Sequence, residues 1–274
     1  MQLFNKKPIV TYIAYEPYGI EYLNRFIKHY LKYNSGHDHD LVICFKEFKS
    51  DDKIIEWEKT ININYIKFDD SNQKNDFDIG SYFRIAKKYS DRLILFLDTH
   101  TRPNTNNWLK FYVDNYKEKS ILGATASYSS LPSLFFSFFF KQHSILEQIR
   151  WGIKHLFHVK LFPNPHIRTT GFFIKAGDML SCKFDTTKFI KKIETNYFEG
   201  GRKGFSNQLI KKGFQLLLLN SDGKCFNIPD WKLSETYCLG SQRKLIFIDN
   251  RTEEFSKSNT EEKIKRTRLT WGKI

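Results

Sequence analysis

Leu93-Ile94-Leu95-Phe96-Leu97-Asp98-Thr99-His100-Thr101-Arg102-Pro103 is the stretch on which the reading of this chain turns. An unbroken apolar run, with no polar alternation, predicts a strand covered on both faces, and it stops abruptly at a carboxylate. In sheets of that kind, ligands bind beyond the carboxyl ends of the strands. Asp98 is therefore delivered to the place where a site is expected. Asp98 and His100, two apart on extended backbone, point to the same side. Together they suit a divalent ion beside a diphosphate, whose departing charge the ion would neutralise. A plainer reading stays open, with Asp98 capping a helix opened by Pro103 and His100 exposed in a loop.

Working toward the start, the same alternation repeats. Ile9 to Ala14 predicts a strand, Ile20 to Tyr33 an amphipathic helix, Leu41 to Phe45 a strand, Ile54 to Lys59 a short helix, Ile61 to Lys67 a strand and Ile79 to Tyr89 a helix. Toward the end come a helix from Pro103 through Trp108, Leu109, Tyr112 and Val113, and a strand from Ile121 to Ala124. Thr170 to Lys175 reads as a returning strand, Lys203 to Lys212 as a basic helix stopped by Gly213, and Phe214 to Leu219 as a strand. After Asp222 the chain is rich in loops, with an apolar run at Leu245 to Ile248 and a capping box from Ser258 to Glu261 before a final helix. This β-α-β rhythm predicts an α/β fold with a mostly parallel central sheet flanked by helices.

Between Leu131 and His158 the rhythm breaks. Leu134, Phe135, Phe136, Phe138, Phe139 and Phe140 precede a helical pattern with Ile145, Ile149, Ile153 and Leu156 on one face, among Lys141, Arg150, Lys154 and His155. An aromatic wedge followed by a basic amphipathic helix suits a membrane interface, and a buried hairpin of helices over the sheet fits equally. The whole chain carries 44 Lys and Arg against 30 Asp and Glu, for a net charge of +14. With 41% apolar residues it has material for a core, which excludes a disordered, collagen-like or coiled chain. Its 26 Phe and 14 Tyr exceed what a core needs and point to a surface with a partner. No signal-peptide-like stretch or spanning run is seen, and the 4 cysteines are scattered, so reduced thiols in the cytoplasm are expected. The His37-Asp38-His39-Asp40 run falls in a turn and has no third ligand at helical spacing.

The alternating pattern, the strand ending in Asp98-Thr99-His100 and the following Trp108-Leu109 resemble GT-A fold glycosyltransferases. Further segments extend the resemblance: Phe77-Asp78-Ile79-Gly80-Ser81-Tyr82, Arg168-Thr169-Thr170-Gly171-Phe172-Phe173, Phe198-Glu199-Gly200-Gly201-Arg202, Trp231, Asp249-Asn250-Arg251-Thr252 and Trp271-Gly272. Together they are similar to bacterial family 2 type enzymes of surface-polysaccharide clusters such as O-antigen and capsule. The resemblance implies one GT-A-like unit over 1–274, with a Rossmann-like sheet. A nucleotide-binding half would cover about 7–127, a helical insertion about 131–162 and an acceptor-side half about 166–274. It implies transfer of a single sugar from a nucleotide-sugar, most simply a UDP-sugar, to a lipid-linked or surface-glycan acceptor at the inner face of the bacterial plasma membrane.

In the similar family an Asp-x-Asp at the place of Asp98-Thr99-His100 binds metal and sugar nucleotide. His100 replaces the second acid, so a manganese or magnesium ion would rest on Asp98 and His100, or be replaced by basic residues such as Arg102. Glu199 corresponds to the family's general base, with Glu194 its nearest rival; stabilisation of a following helix is the plainer role. Ala14, Tyr15 and Glu16 after the first strand and Asp78 would meet the nucleotide. Arg168, Thr169 and Arg202 would reach the diphosphate or acceptor, and Trp231 would stack on a sugar. Two other readings stand beside this one: a catalytically inactive relative that binds sugar nucleotides, and a nucleic-acid-binding protein. The dispersed basic residues and the lack of a recognition signature weigh against nucleic acid.

Overall fold

The computed structural model describes residues 6–73, 76–137, 142–185 and 191–272. The first part alternates as expected: β1 (Ile9–Tyr15), α1 (Ile20–Lys32), β2 (Asp40–Lys46), α2 (Asp52–Glu58), β3 (Ile66–Asp70), α3 (Phe77–Lys88) and β4 (Leu93–Leu97). There follow β5 (Arg102–Pro103), α4 (Trp108–Asn115), β6 (Ser120–Gly123), β7 (Ala126–Ser127), α5 (Leu131–Phe136), α6 (Ile145–Leu156), β8 (His166–Ile167) and β9 (Gly171–Lys175). The last part holds α7 (Ala176–Leu180), α8 (Lys192–Gly200), α9 (Phe205–Lys211), β10 (Gln215–Leu219), β11 (Cys225–Phe226), β12 (Phe247–Ile248), α10 (Asn250–Lys257) and α11 (Thr260–Trp271).

Among the described residues the main sheet has 8 strands in the order β11-β10-β6-β9-β4-β1-β2-β3. β3, β2, β1 and β4 run parallel, as do β6 and β10, while β9 is antiparallel to both β4 and β6. Side chains alternate across the strands and fill two apolar layers. Ile9, Ile13, Ile94, Phe96 and Phe172 pack with α3, α7, α8 and α9 on one face. Val10, Tyr12, Leu95, Leu97 and Phe173 pack with α1, α2 and α4 on the other. Ile94 to Leu97 are wholly buried, which is why β4 reads as an unbroken apolar run.

Long-range pairing moved several boundaries. The third strand begins at Ile66 and continues to Asp70, in register with Val42 to Lys46, whereas Ile61, Ile63 and Tyr65 only pack beside it. Pro103 does not open a helix: Arg102 and Pro103 pair with Ile248 and Phe247, and the helix starts at Trp108. The final helix is capped by Asn259, whose side chain accepts from Glu262 N, one residue beyond the expected box. The four cysteines are free. His39 meets the Tyr30 hydroxyl at 2.8 Å, a local loop contact.

α5 and α6 form a hairpin, but it does not bury the apolar stripe of α6. Its inward residues are Gln148, Gly152 and His155, while Leu146, Ile149, Ile153 and Phe157 are exposed. Phe138, Phe139, Phe140 and Lys141, the core of the expected wedge, lie outside the described residues.

Candidate active site

A cavity of about 540 Å³ opens beyond the carboxyl ends of β1, β2 and β4, within the usual range for small-molecule sites. Its wall includes Tyr15, Tyr18, Lys46, Asp78, Asp98, Thr99, His100, Arg168, Thr169, Lys192, Asn196 and Glu199. The C-terminal part of the chain closes it with Tyr237, Asn250, Arg251 and Thr270.

Asp98 is fixed by a local turn. Its Oδ1 accepts from His100 N at 3.0 Å and from Thr101 Oγ1 at 2.6 Å, and Asp98 N donates to Thr170 O. The next helix is remote, so Asp98 caps nothing. Tyr12 braces the turn by donating to Thr99 O at 2.7 Å. Burial drives the Asp98 carboxyl well above the ordinary range, and the nearby Asp78 and Asp249 add to this. Asp78 is pushed up to about 6 by burial, against the pull of Lys46. Asp78 is not a helix cap: it lies in the first turn of α3, after Asp76 and Phe77.

The entrance to α3 is held by charge. Lys46 meets Asp76 and lies 3.7 Å from Asp70, and Arg84 clasps both Asp70 and Asp76, with Nη2 to Asp70 Oδ2 at 2.6 Å. Ser81 also donates to Asp70. This network keeps Phe77 at φ 48°, a conformation that costs a bulky residue about 1–3 kcal/mol. The strained turn presents Asp78 to the cavity.

Arg168 stands on the opposite wall. Its Nη1 donates to Asp249 Oδ2 at 3.0 Å and to Thr125 Oγ1 at 3.2 Å, and its guanidinium lies 4.0 Å over the Tyr237 ring. Burial opposes its charge, but Asp249, Tyr237 and Glu199 raise its pKa beyond its ordinary value. Asp249 is pushed up by burial and brought below the usual range by Arg168. It also caps α10 by accepting from Thr252 N.

Glu199 is the penultimate residue of α8 and lies well before α9. A carboxylate at the C-terminal end of a helix opposes the macrodipole, so helix stabilisation does not explain it. Its Oε1 accepts from Thr169 N at 2.7 Å and Thr169 Oγ1 at 2.6 Å. Tyr82, whose hydroxyl donates to Thr169 O, sits among these acids: burial first, then Asp78, Asp98 and Glu199, raise its phenol pKa. Glu194 is used otherwise, accepting from Lys191 N at 2.6 Å as a cap of α8.

The structure thus gathers Tyr15, Asp78, Asp98, Thr99, His100, Arg168, Thr169 and Glu199 around one cavity. Other expected residues lie elsewhere. The Ala14 side chain is buried in the apolar layer with Val10 and Tyr12, and Glu16 pairs with Lys53 at 2.8 Å. Arg202 is exposed beside the end of α6, donating to Leu156 O. Arg102 is buried and paired with Glu253. Trp231 is wholly buried, stacked on Tyr128 with its Nε1 donating to Phe226 O, so no sugar can reach its face. Lys46, Tyr18, Lys192 and Tyr237 were missed. Lys46 ends β2 as Asp98 follows β4, and the same rule of strand ends would have found it.

Two buried polar atoms beside Asp98, Thr99 Oγ1 and His100 Nδ1, have no partner, a sign that a ligand completes the site. The His100 ring packs on Tyr18 and Tyr22, with centroids 4.8 and 4.9 Å away. Among the described residues no group of three or more His, Cys, Asp or Glu is placed to hold a metal. The donors present fit an ion held by one or two carboxylates with the rest of its shell from phosphate oxygens and water.

No protein-family model matches the chain, and no curated protein does. Solved glycosyltransferases are similar to it, among them the following three. The mannosyltransferase Ktr4p from S. cerevisiae, in complex with GDP, is 11% identical with a TM-score of 0.40, over 77% of this chain and 69% of that one. The mannosyltransferase PcManGT from Pyrobaculum calidifontis, in complex with GDP-Man and Mn2+, is 7% identical with a TM-score of 0.39, over 68% and 49%. The glycosyltransferase GlyE from Streptococcus pneumoniae is 13% identical with a TM-score of 0.44, over 95% and 63%.

Proposed function

We propose that this chain is a glycosyltransferase that moves one sugar from a nucleotide-sugar to an acceptor hydroxyl. The observation that carries the reading is the cavity itself, in which the Asp78 and Asp98 carboxylates share one hollow with Arg168 and with Glu199, clamped by Thr169. Tyr15 and Tyr18 offer ring faces for a base, and Asp78 offers a carboxylate for a ribose hydroxyl or a pyrimidine amide. Arg168 and Lys192 place positive charge for a diphosphate. The turn around Asp98 suits the phosphate end of such a ligand. A divalent cation held by Asp98, with Asp78 or His100, would supply further neutralisation of the diphosphate.

In the proposed step Glu199 takes the proton of the acceptor hydroxyl as its oxygen bonds to the anomeric carbon from the far side. The bond from that carbon to the diphosphate oxygen breaks, the nucleoside diphosphate leaves with the electron pair, and the sugar, now on the acceptor oxygen, has inverted anomeric configuration. Thr169 fixes one oxygen of Glu199, leaving the other for the proton. The donor is proposed to be a UDP-sugar, and the acceptor a lipid-linked or surface glycan such as an O-antigen or capsule precursor. The place of work would be the inner face of the bacterial plasma membrane, with the protein bound peripherally; among the described residues no helix is long and apolar enough to cross a membrane.

Thermal shift with UDP, GDP, CDP and TDP, with and without manganese, tests donor binding. One nucleotide should stabilise the protein. Glu199→Gln should keep that shift and lower transfer by roughly 10²–10⁴-fold, whereas Asp98→Ala should weaken nucleotide binding. Full transfer by Glu199→Gln, or unchanged nucleotide affinity in Asp98→Ala, would remove the role assigned to that residue.

A further inference from the structure

α6 is built inside out. A helix on a water-soluble surface turns its apolar stripe inward, yet here the inward residues are Gln148, Gly152 and His155. Gly152 is required for that packing, because a Cβ there would stand 2.5 Å from the Phe136 ring. The outward positions Leu146, Ile149, Ile153 and Phe157 recur at helical spacing, with Leu146 80% and Phe157 78% exposed. Leu161 and Phe162, in the loop after α6, are also exposed, at 50% and 38%.

The rim of this surface is cationic. Arg150 and Lys154 each follow a stripe residue, about 100° further round the helix, the angle between neighbours at 3.6 residues per turn. Lys154 lies over the Trp151 ring at 4.6 Å, its charge held beside the apolar stripe. Exposed Arg202 and Lys203 border the far end of the helix, where Arg202 N bonds His158 O. The only acid in α6 is Glu147, used in the capping box with Ser144. Apolar side chains between cations at this level match a bilayer whose headgroups are anionic.

We propose that the outer face of α6 docks on an anionic membrane surface, seating Leu146, Ile149, Ile153 and Phe157 at the acyl boundary and Arg150 and Lys154 among the headgroups. The docking helix is also tied to the reaction centre. His155 Nδ1 meets the Tyr197 hydroxyl at 2.6 Å and the His158 ring stacks on Tyr197 at 4.6 Å, two residues before Glu199 on α8. Two residues turn an α-helix by about 200°, so Tyr197 meets α6 while Glu199 faces the cavity. Resting on the transfer reading for its purpose only, docking on a bilayer suits a lipid-borne acceptor.

Co-sedimentation of the full chain with phosphatidylcholine vesicles, with and without phosphatidylglycerol, tests the docking without any turnover. Binding is expected only with phosphatidylglycerol, and weakened by salt. Leu146→Ser with Phe157→Ser should lower binding roughly tenfold or more, with an unchanged melting temperature and transfer to a soluble acceptor retained. Arg150→Gln with Lys154→Gln should lose the preference for anionic vesicles, and it carries the test if the first pair fails to fold. Failure of the wild type to bind phosphatidylglycerol vesicles, or binding as tight as the wild type's by both double variants, overturns the proposal. So does a wild-type dimer in sedimentation velocity that Leu146→Ser with Phe157→Ser turns into a monomer, since a second copy would then cover the face.

Discussion

Arg84 shows how far a single side chain can support the site. It holds the buried carboxylates of Asp70 and Asp76, whose side chains are 1% and 9% exposed, and so fixes the turn that presents Asp78. Removing one partner of a buried charge cluster leaves the others uncompensated. Arg84→Ala should cost about 3–5 kcal/mol in urea unfolding and weaken nucleotide binding, while Arg84→Lys should recover part of the stability. A variant with an unchanged unfolding midpoint would show that Lys46 alone neutralises the pair. Asp98 was legible because the apolar run before it ends so sharply. Ala14 and Tyr15, successive residues of β1, point to opposite sides, and Glu16 has left the strand to pair with Lys53; of the three, only Tyr15 reaches the cavity. Trp231 gave no local sign that Tyr128, far along the chain, would stack on it.

At the scale of elements, the junction of α6 and α8 carries a pH dependence. His155 is buried and its pKa is lowered to about 4, by burial first and then by Lys154 and His158. In the unfolded chain the imidazole titrates near its ordinary 6.5. The neutral form is thus favoured by folding, so this contribution to stability is complete above pH 6.5 and is lost as pH falls toward 4. It amounts to roughly 2 kcal/mol by pH 5. Melting curves between pH 7.5 and 5, pH values chosen to bracket most of that roughly 2 kcal/mol change, should fall more steeply for the wild type than for His155→Gln. Parallel slopes would mean that His155 takes up its proton as readily in the folded protein as in the unfolded chain. The parallel strands and α1, α2, α3, α4, α6, α9 and α11 were legible from period and apolar runs, whereas α7, α8 and α10 were not read as helices from the sequence. β5, β12 and the other two-residue strands were not legible, because their pairing joins residues such as Pro103 and Phe247 that no local pattern relates.

Across the whole molecule, the last helix supports a cavity built mainly from the first strands. Trp271 is wholly buried, packs edge-on to Tyr128, and donates through Nε1 to Tyr237 O at 2.7 Å, and the Tyr237 ring lies under Arg168. Trp271→Ala should cost about 3–5 kcal/mol, and should reduce nucleotide affinity beyond what a distant destabilisation would. A titration at a temperature where the variant is fully folded separates these effects: wild-type affinity there would show that Arg168 keeps its place without the indole.

The reversed strand β9 has a consequence for how the protein is made. Among the described residues it is the sole link in the main sheet between β4 and β6. As the chain leaves the ribosome, β1 to β4 can align while β6 has no neighbour to zip onto until residues 171–175 emerge. Closing that gap joins segments distant in sequence, the kind of step that slows folding. A nascent chain stalled before Gly171 should therefore hold an unfinished sheet, with the rows of backbone donors and acceptors on β4 and β6 open to chaperones or to unwanted strands.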